Sequence, residues 1–272
     1  MNSSNFLSKI IEKKRERIAE AKRLRPLEEL RREAFVARAG AGRHAFRAAL
    51  ADAGRVNVIA EFKRASPSKG EISGGASAGE TAKAYERGGA AAVSVLTEED
   101  FFRGSLRDLA EVKASVRLPV LRKDFILEDY QVFESAAAGA DALLLIVAAL
   151  DDAALSRLRA LAEDELGMDA LVEVHTAAEL GRALAAGARI IGVNNRDLHT
   201  FEVSLETSVG LAPLAPEGLL LVSESGLRDA GDIARLRARG FGAFLVGETL
   251  MRAERPEEAL RLLTASTDSH LP

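Results

Sequence analysis

The chain has 272 residues, with 37 Lys and Arg against 41 Asp and Glu, a formal net charge of −4 and no cysteine. This length suits one large α/β barrel or two small domains, either able to bury a sizeable core. The charge argues against a dedicated nucleic-acid binder but leaves small anions as partners, and the lack of cysteine removes disulfides, thiolate zinc sites and cysteine nucleophiles.

The chain opens on Lys9, Glu12, Lys13, Lys14, Arg15, Glu16 and Arg17 where a signal peptide needs an apolar core. The longest apolar run, Ala142 to Leu150, is far short of the ~20 residues that cross a bilayer. A cytoplasmic enzyme with no membrane contact is expected. Phe6, Ile10, Ile11 and Ile18 form a helical stripe among these charges, after the candidate caps Ser3 and Ser4, and Pro26 starts a second helix. This extension either covers one end of the following domain or is a solvated helix.

From Asn57 onward, short apolar runs alternate with amphipathic segments in eight cycles. The expected strands are Asn57–Lys63, Ala91–Thr97, Pro119–Lys123, Ala142–Ala148, Ala170–Val174, Arg189–Asn194, Leu219–Ser223 and Ala243–Gly247. Between them, Ala78–Arg87, Asp151–Leu166 and Arg228–Arg239 carry helical spacing and end near Gly88, Gly167 and Gly240. Eight strand-helix units in this length indicate an α/β (β/α)8 TIM barrel with an N-terminal helical extension. An open doubly wound sheet is the alternative, but no Gly-x-Gly-x-x-Gly follows the first strand. The expected boundaries are an extension over 1–52 packed on the barrel, a catalytic barrel over 53–264 and a frayed tail over 265–272.

In such a barrel, reactive residues project from the C-terminal strand ends. Those ends carry Glu61 and Lys63, Lys123, Glu173, Asn194 and Arg196, and Glu224 with Ser225. Alternation puts Ile59, Glu61 and Lys63 on one face, and likewise Leu121 with Lys123, Leu171 with Glu173, and Val222 with Glu224. That pattern fits a core layer topped by a reactive layer, although Glu61 and Lys63 taken alone also fit a structural ion pair. Ser66-Pro67-Ser68-Lys69-Gly70 supplies donors suited to an anion, and Gly226 and Gly247 follow strands seven and eight, where barrels often bind phosphate. Both glycines also suit plain turns. His175 follows Glu173 by two residues, without metal-ligand spacing, and fits a loop histidine as well.

These residues sit in motifs that resemble the indole-3-glycerol-phosphate synthase family over nearly the whole chain. They run in order as Val58-Ile-Ala-Glu-Phe-Lys-Arg-Ala-Ser-Pro-Ser-Lys-Gly70, Leu96-Thr-Glu-Glu99, Leu121-Arg-Lys-Asp-Phe125, Leu171-Val-Glu-Val-His175, Ile191-Gly-Val-Asn-Asn-Arg-Asp197 and Ser223-Glu-Ser-Gly226. The resemblance implies ring closure of 1-(2-carboxyphenylamino)-1-deoxyribulose 5-phosphate with loss of carbon dioxide and water, in tryptophan biosynthesis, with no cofactor and no metal. It implies a phosphorylated small-molecule substrate, and leaves contacts with other pathway enzymes undefined.

By the same resemblance Lys123 is the general acid, and Glu173, Glu61 and Lys63 share the remaining proton transfers. Asn194 is implied as a ligand of a hydroxyl or intermediate, Arg196 as an orienting cation, and Glu224 with Ser225 as polar support for the ribulose portion. Ser66 and the backbone near Gly226 and Gly247 would hold phosphate, with Lys63 nearby. Phe102, Phe125, Leu144, Ile146 and Leu198 would wall the anthranilate ring. Glu248 departs from relatives that carry serine after the eighth-strand glycine, so only a backbone N–H is expected to serve there. Two alternatives differ in kind. Phosphoribosylanthranilate isomerase uses a related ligand on a similar barrel but relies on a cysteine base. A barrel that only binds a phosphorylated metabolite has no need of two carboxylates.

Overall fold

The computed structural model describes residues 6–67, 70–72, 75–197 and 200–265. The caps Ser3 and Ser4, the anion-loop residues Ser68 and Lys69, Leu198 and the tail from Ser266 lie outside the described residues.

Eight short apolar runs become parallel strands: β1 Asn57–Phe62, β2 Ala92–Leu96, β3 Val120–Lys123, β4 Ala142–Ile146, β5 Asp169–Val174, β6 Ile190–Asn194, β7 Leu220–Glu224 and β8 Ala243–Val246. Each pairs with the next, and β1 pairs with both β2 (Ile59↔Ala92) and β8 (Asn57↔Ala243), so the sheet closes on itself. Closure buries both faces of every strand, which is why the runs are apolar throughout rather than alternating with polar residues. Ile59, Leu121, Leu144, Leu171, Ile190, Val222 and Leu245 fill the barrel interior. Val58, Val93, Leu143, Val172 and Ile191 point outward into the helical layer.

The helices are α1 Phe6–Leu24, α2 Leu27–Ala39, α3 Ala45–Leu50, α4 Ala78–Gly88, α5 Leu106–Ser115, α6 Asp129–Ala137, α7 Asp152–Ala160, α8 Ala177–Ala185, α9 Glu206–Leu211, α10 Ala230–Arg237, α11 Glu248–Met251 and α12 Pro256–Thr264. Among the described residues, five helices start on a side-chain cap, from Ser77, Ser105, Asp151, Thr176 and Asp229, each accepting from the backbone N–H three residues on. Caps at these positions fix where each strand-to-helix loop ends, and those loops build the barrel mouth.

All eight strands sit on the expected runs with ends moved by one or two residues, and some of the differences bear on the site. The fourth strand stops at Ile146, and Val147–Ala149 form a 3-10 turn. The segment expected as one helix to Leu166 changes to π-helical turns over Leu161–Glu165. As expected, α4 ends at Gly88, with Gly89 (φ 89°) as its left-handed cap; residue 88 is glycine because a side chain there would press on the Glu257 backbone of α12. The seventh strand is shifted by one residue, so Glu224 is its last member.

The N-terminal helices touch both ends of the barrel, where the sequence suggested one. Leu7 and Ile10 of α1 join the interior cluster, and Lys14 of the same helix pairs with Asp124 just past β3 at 2.7 Å. Phe46 and Leu50 of α3 join that cluster too. Asn57, the first residue of β1, donates to the Leu50 carbonyl at 2.9 Å, and Asp169, the first of β5, accepts from the Arg47 N–H at 2.9 Å. Thus α1 lies at the C-terminal mouth and α3 at the N-terminal floor. Between them α2 packs Leu30 and Ala34 into the helical layer, and its Arg38 fork donates to the Leu166 and Gly167 carbonyls, each at 3.1 Å.

Candidate active site

Strand alternation that places Leu121, Leu171 and Val222 inside the barrel places Lys123, Glu173 and Glu224 two residues later, at its mouth. Lys123 Nζ donates to Glu173 Oε2 at 2.9 Å and to Glu224 Oε2 at 2.8 Å, so one ammonium serves two buried carboxylates. Both glutamates are at most 2% exposed. Gly192 of β6 makes room for this pairing, because a Cβ there would strike the Glu224 carboxylate. At the neighbouring strand end Lys63 Nζ sits 3.0 Å from Glu61 Oε2. Gly247 is required beside that pair for the same reason, as a Cβ would meet Glu61 and Lys63.

These charges shift one another unequally. For Lys123, burial favours loss of the proton, but Glu173 and Glu224 outweigh it and hold the ammonium charged well above the ordinary lysine range. Burial also opposes ionisation of Glu173, yet Lys123, His175 and a hydrogen bond from Asn194 overcome it and lower its pKa. Glu224 goes the other way. Burial, reinforced by the nearby Glu173 and Glu61 charges, pushes it up to about 7 despite Lys123. One Glu224 oxygen, Oε1, is buried without a hydrogen-bond partner. Two carboxylates whose proton affinities are driven apart around a shared cation form an arrangement suited to acid-base chemistry.

The described members of the expected site all line one cavity. Glu61, Lys63, Lys123, Glu173, Asn194 and Glu224 form its floor of ionisable and amide groups. Ser66, Arg196, Ser225, Gly226 and Gly247 edge it, and Phe102, Phe125, Leu144 and Ile146 give it an apolar side. The Phe102 and Phe125 rings pack 6.4 Å apart. Ser225 and Gly226 both take left-handed backbone (φ 67° and 82°), which a non-glycine residue adopts only at a cost. Leu198 lies outside the described residues. Glu248 lines the cavity as well, with its carboxylate 3.3 Å from Arg252 on the next helical turn, which tempers its charge. Among the described residues no three His, Asp or Glu side chains are grouped to hold a metal ion.

Sequence reasoning missed the contribution of α1. Phe6, Leu7 and Ile10 close one side of the cavity, and the Phe6 ring meets Phe101 and Phe201 edge-on, each at 5.2 Å. The apolar stripe of α1 was visible; its partner was not, because Phe6 meets loops about 95 and 195 residues away along the chain. The spacing of His175 two residues past Glu173 fits either a shared face or a loop, and the structure puts it next to Glu173. It stands behind Glu173, its Nε2 3.5 Å from Glu173 Oε1.

The family model described as indole-3-glycerol phosphate synthase matches residues 7–263. Proteins bearing that name are similar over nearly their full length. The one from Carboxydothermus hydrogenoformans is 46% identical across 96% of this chain and 100% of its own. That from Aromatoleum aromaticum is 48% identical across 96% and 99%, and that from Polaromonas naphthalenivorans 49% across 94% and 97%. Among solved structures, thiamine phosphate pyrophosphorylase from Pyrococcus furiosus superposes with a TM-score of 0.57 at 16% identity, over 76% of this chain and 93% of its own, a likeness of fold alone. A shared barrel is common to many chemistries, but a full-length family match joined to relatives at this identity is specific: the chain belongs to the indole-3-glycerol phosphate synthase family.

Proposed function

We propose that this chain closes the indole ring of 1-(2-carboxyphenylamino)-1-deoxyribulose 5-phosphate at the Lys123–Glu173–Glu224 mouth, releasing carbon dioxide and water. The shared ammonium carries the proposal. In the first step the ring carbon bearing the carboxylate attacks the ketone carbon, a C–C bond forms, and negative charge gathers on the former carbonyl oxygen. Lys123, held protonated by two carboxylates, is a populated donor for that alkoxide, which is more basic than an amine. Loss of carbon dioxide then restores the aromatic ring. In the dehydration, the ring C–H next to nitrogen loses its proton to a base while the hydroxyl leaves with a proton as water. Glu173, held ionised by its surroundings, is assigned as that base.

In this reading Lys63, paired with Glu61, protonates the leaving hydroxyl and Asn194 binds it. Arg196 and Ser225 orient the sugar chain. Ser66 and the backbone at Gly226 and Gly247 receive the phosphate, and the Phe102–Phe125 side receives the aryl ring. The same proposal sets the reaction in the cytoplasm and asks for neither nucleic acid nor membrane. Its support is a net charge of −4 and the absence, among described residues, of a helix long and apolar enough to cross a bilayer.

Following the fluorescence of indole-3-glycerol phosphate formed from this substrate tests the activity. Lys123→Ala should lower kcat by about 10² or more, the usual contribution of a positioned acid. Near-normal turnover by a folded Lys123→Ala protein would remove that lysine from the chemistry.

A further inference from the structure

Glu173 has a second cationic neighbour that neither the ring-closing scheme nor the cavity lining uses. His175 follows the end of β5, and its backbone N–H donates to Glu179 Oε2 at 2.7 Å. Its ring Nδ1 lies 3.3 Å from that same oxygen, while Nε2 faces Glu173 Oε1 at 3.5 Å. Nε2 is buried and makes no hydrogen bond, so its 3.5 Å approach to Glu173 is an ion-pair contact that a small movement of either side chain would tighten. Glu179 is itself fixed in the first turn of α8, where its N–H donates to the Thr176 cap at 3.2 Å. The imidazole is therefore clamped between two carboxylates, one on each nitrogen.

We propose that His175 is a positioning residue for Glu173: clamped by Glu179, it presents Nε2–H to Glu173 Oε1 and keeps that side chain an oriented carboxylate, ready to take a proton. This rests on the assignment of Glu173 as the base. The geometry supplies the reason for a second cation. Lys123 is divided between Glu173 and Glu224, with Glu61 also acting on it, so one ammonium does not decide which glutamate stays ionised. His175 touches Glu173, and the two glutamates differ accordingly.

The charged groups acting on the ring are Glu173 from β5, Glu179 from α8 and Glu224 from β7. Lys123 of β3 lies across Glu173 on its other oxygen. Burial alone would favour a neutral imidazole, but the Glu179 hydrogen bond and the charges of Glu173, Glu179 and Glu224 raise its pKa instead. In this scheme His175 transfers no proton itself. The proton that Glu173 takes from the substrate returns to solvent after product leaves.

Two variants and one titration test this. His175→Gln keeps a donor but removes the charge, and should move the acid limb of the kcat profile upward by about one pH unit with little change in Tm. Glu179→Gln, which leaves His175 in place, should move it the same way by less. The His175 ring proton followed by NMR should titrate above the ordinary value of about 6.5 and fall in Glu179→Gln. An acid limb unmoved in both folded variants, or a His175 ring that titrates at or below 6.5, overturns the proposal. If His175→Gln does not fold, Glu179→Gln and the ring titration decide. Full turnover by Glu173→Gln would instead remove the base assignment, an outcome separate from the titration.

Discussion

Glu173 and Glu224 are the same residue type at equivalent strand ends, yet their surroundings give them opposite tendencies. Ionised Glu173 has Lys123, His175 and Asn194 around it; Glu224 has half of Lys123 and an oxygen with no donor. The linkage signs are therefore opposite. Glu173, with its pKa lowered, contributes stability present above pH 4.5 and lost as pH falls through the lower folded value. Glu224, raised to about 7, becomes a liability as pH rises from 4.5 to 7. Glu224→Gln should thus gain stability relative to wild type between pH 5 and pH 8, read as the difference in Tm at each pH; a flat difference would refute the raised affinity. Glu173→Gln should abolish most turnover while lowering Tm only modestly, because Lys123 keeps Glu224 as partner. A large loss of Tm with turnover retained would make Glu173 structural. The sequence showed which side chains meet, since parity and strand ends are local. It could not show which carboxylate holds a proton, because that depends on distances among β3, β5, β6 and β7.

At the level of elements, the strands were legible and the extension only half so. Strand parity repeats every two residues and survives small errors of boundary; all eight strands stood where apolar runs predicted, displaced by at most two residues at an end. The destination of α1 depends on Lys14, one positive charge in a solvated run by sequence but only 5% exposed in the fold. It reaches Asp124 at 2.7 Å, and Asp124 also accepts from Arg122 at 3.0 Å and Thr97 at 2.7 Å. Burial opposes ionisation of that carboxyl, but Arg122 and Lys14 outweigh it and hold it down at about 2. Lys14→Met leaves Asp124 with Arg122, so the cost should fall below the full price of an orphaned buried charge, at about 1–3 kcal/mol. Because Asp124 adjoins Lys123, the loss should also raise KM as α1 loosens over the cavity. Urea unfolding and steady-state kinetics on the same preparation check both; unchanged stability would mean that α1 is held by its apolar contacts alone.

Across the whole molecule, the barrel divides its work between its ends, and the N-terminal helices bind to both. At the floor, Phe46 and Leu50 plug the interior beneath Ile59, Ala142 and Ile190, and the charged groups there, Asp169 with His44 and Asp141 with Lys113, are occupied by structural partners. At the mouth, Leu7 and Ile10 extend the same cluster into the cavity that holds Lys123 and Glu173. Equal truncations at the two ends should therefore have unequal consequences. Leu50→Ala, at a site 1% exposed, leaves a void in a closed core and should cost about 2–5 kcal/mol, with KM, kcat and the pH profile unchanged below the lowered Tm. Ile10→Ala joins its new space to the existing cavity, so the cost of an enclosed void is smaller, whereas the cavity wall recedes and KM should rise several-fold. Thermal unfolding and kcat/KM measured for both variants decide it. A Leu50→Ala protein with impaired KM, or an Ile10→Ala protein that is much less stable but kinetically normal, would show that floor and mouth are coupled through the interior layer rather than separate.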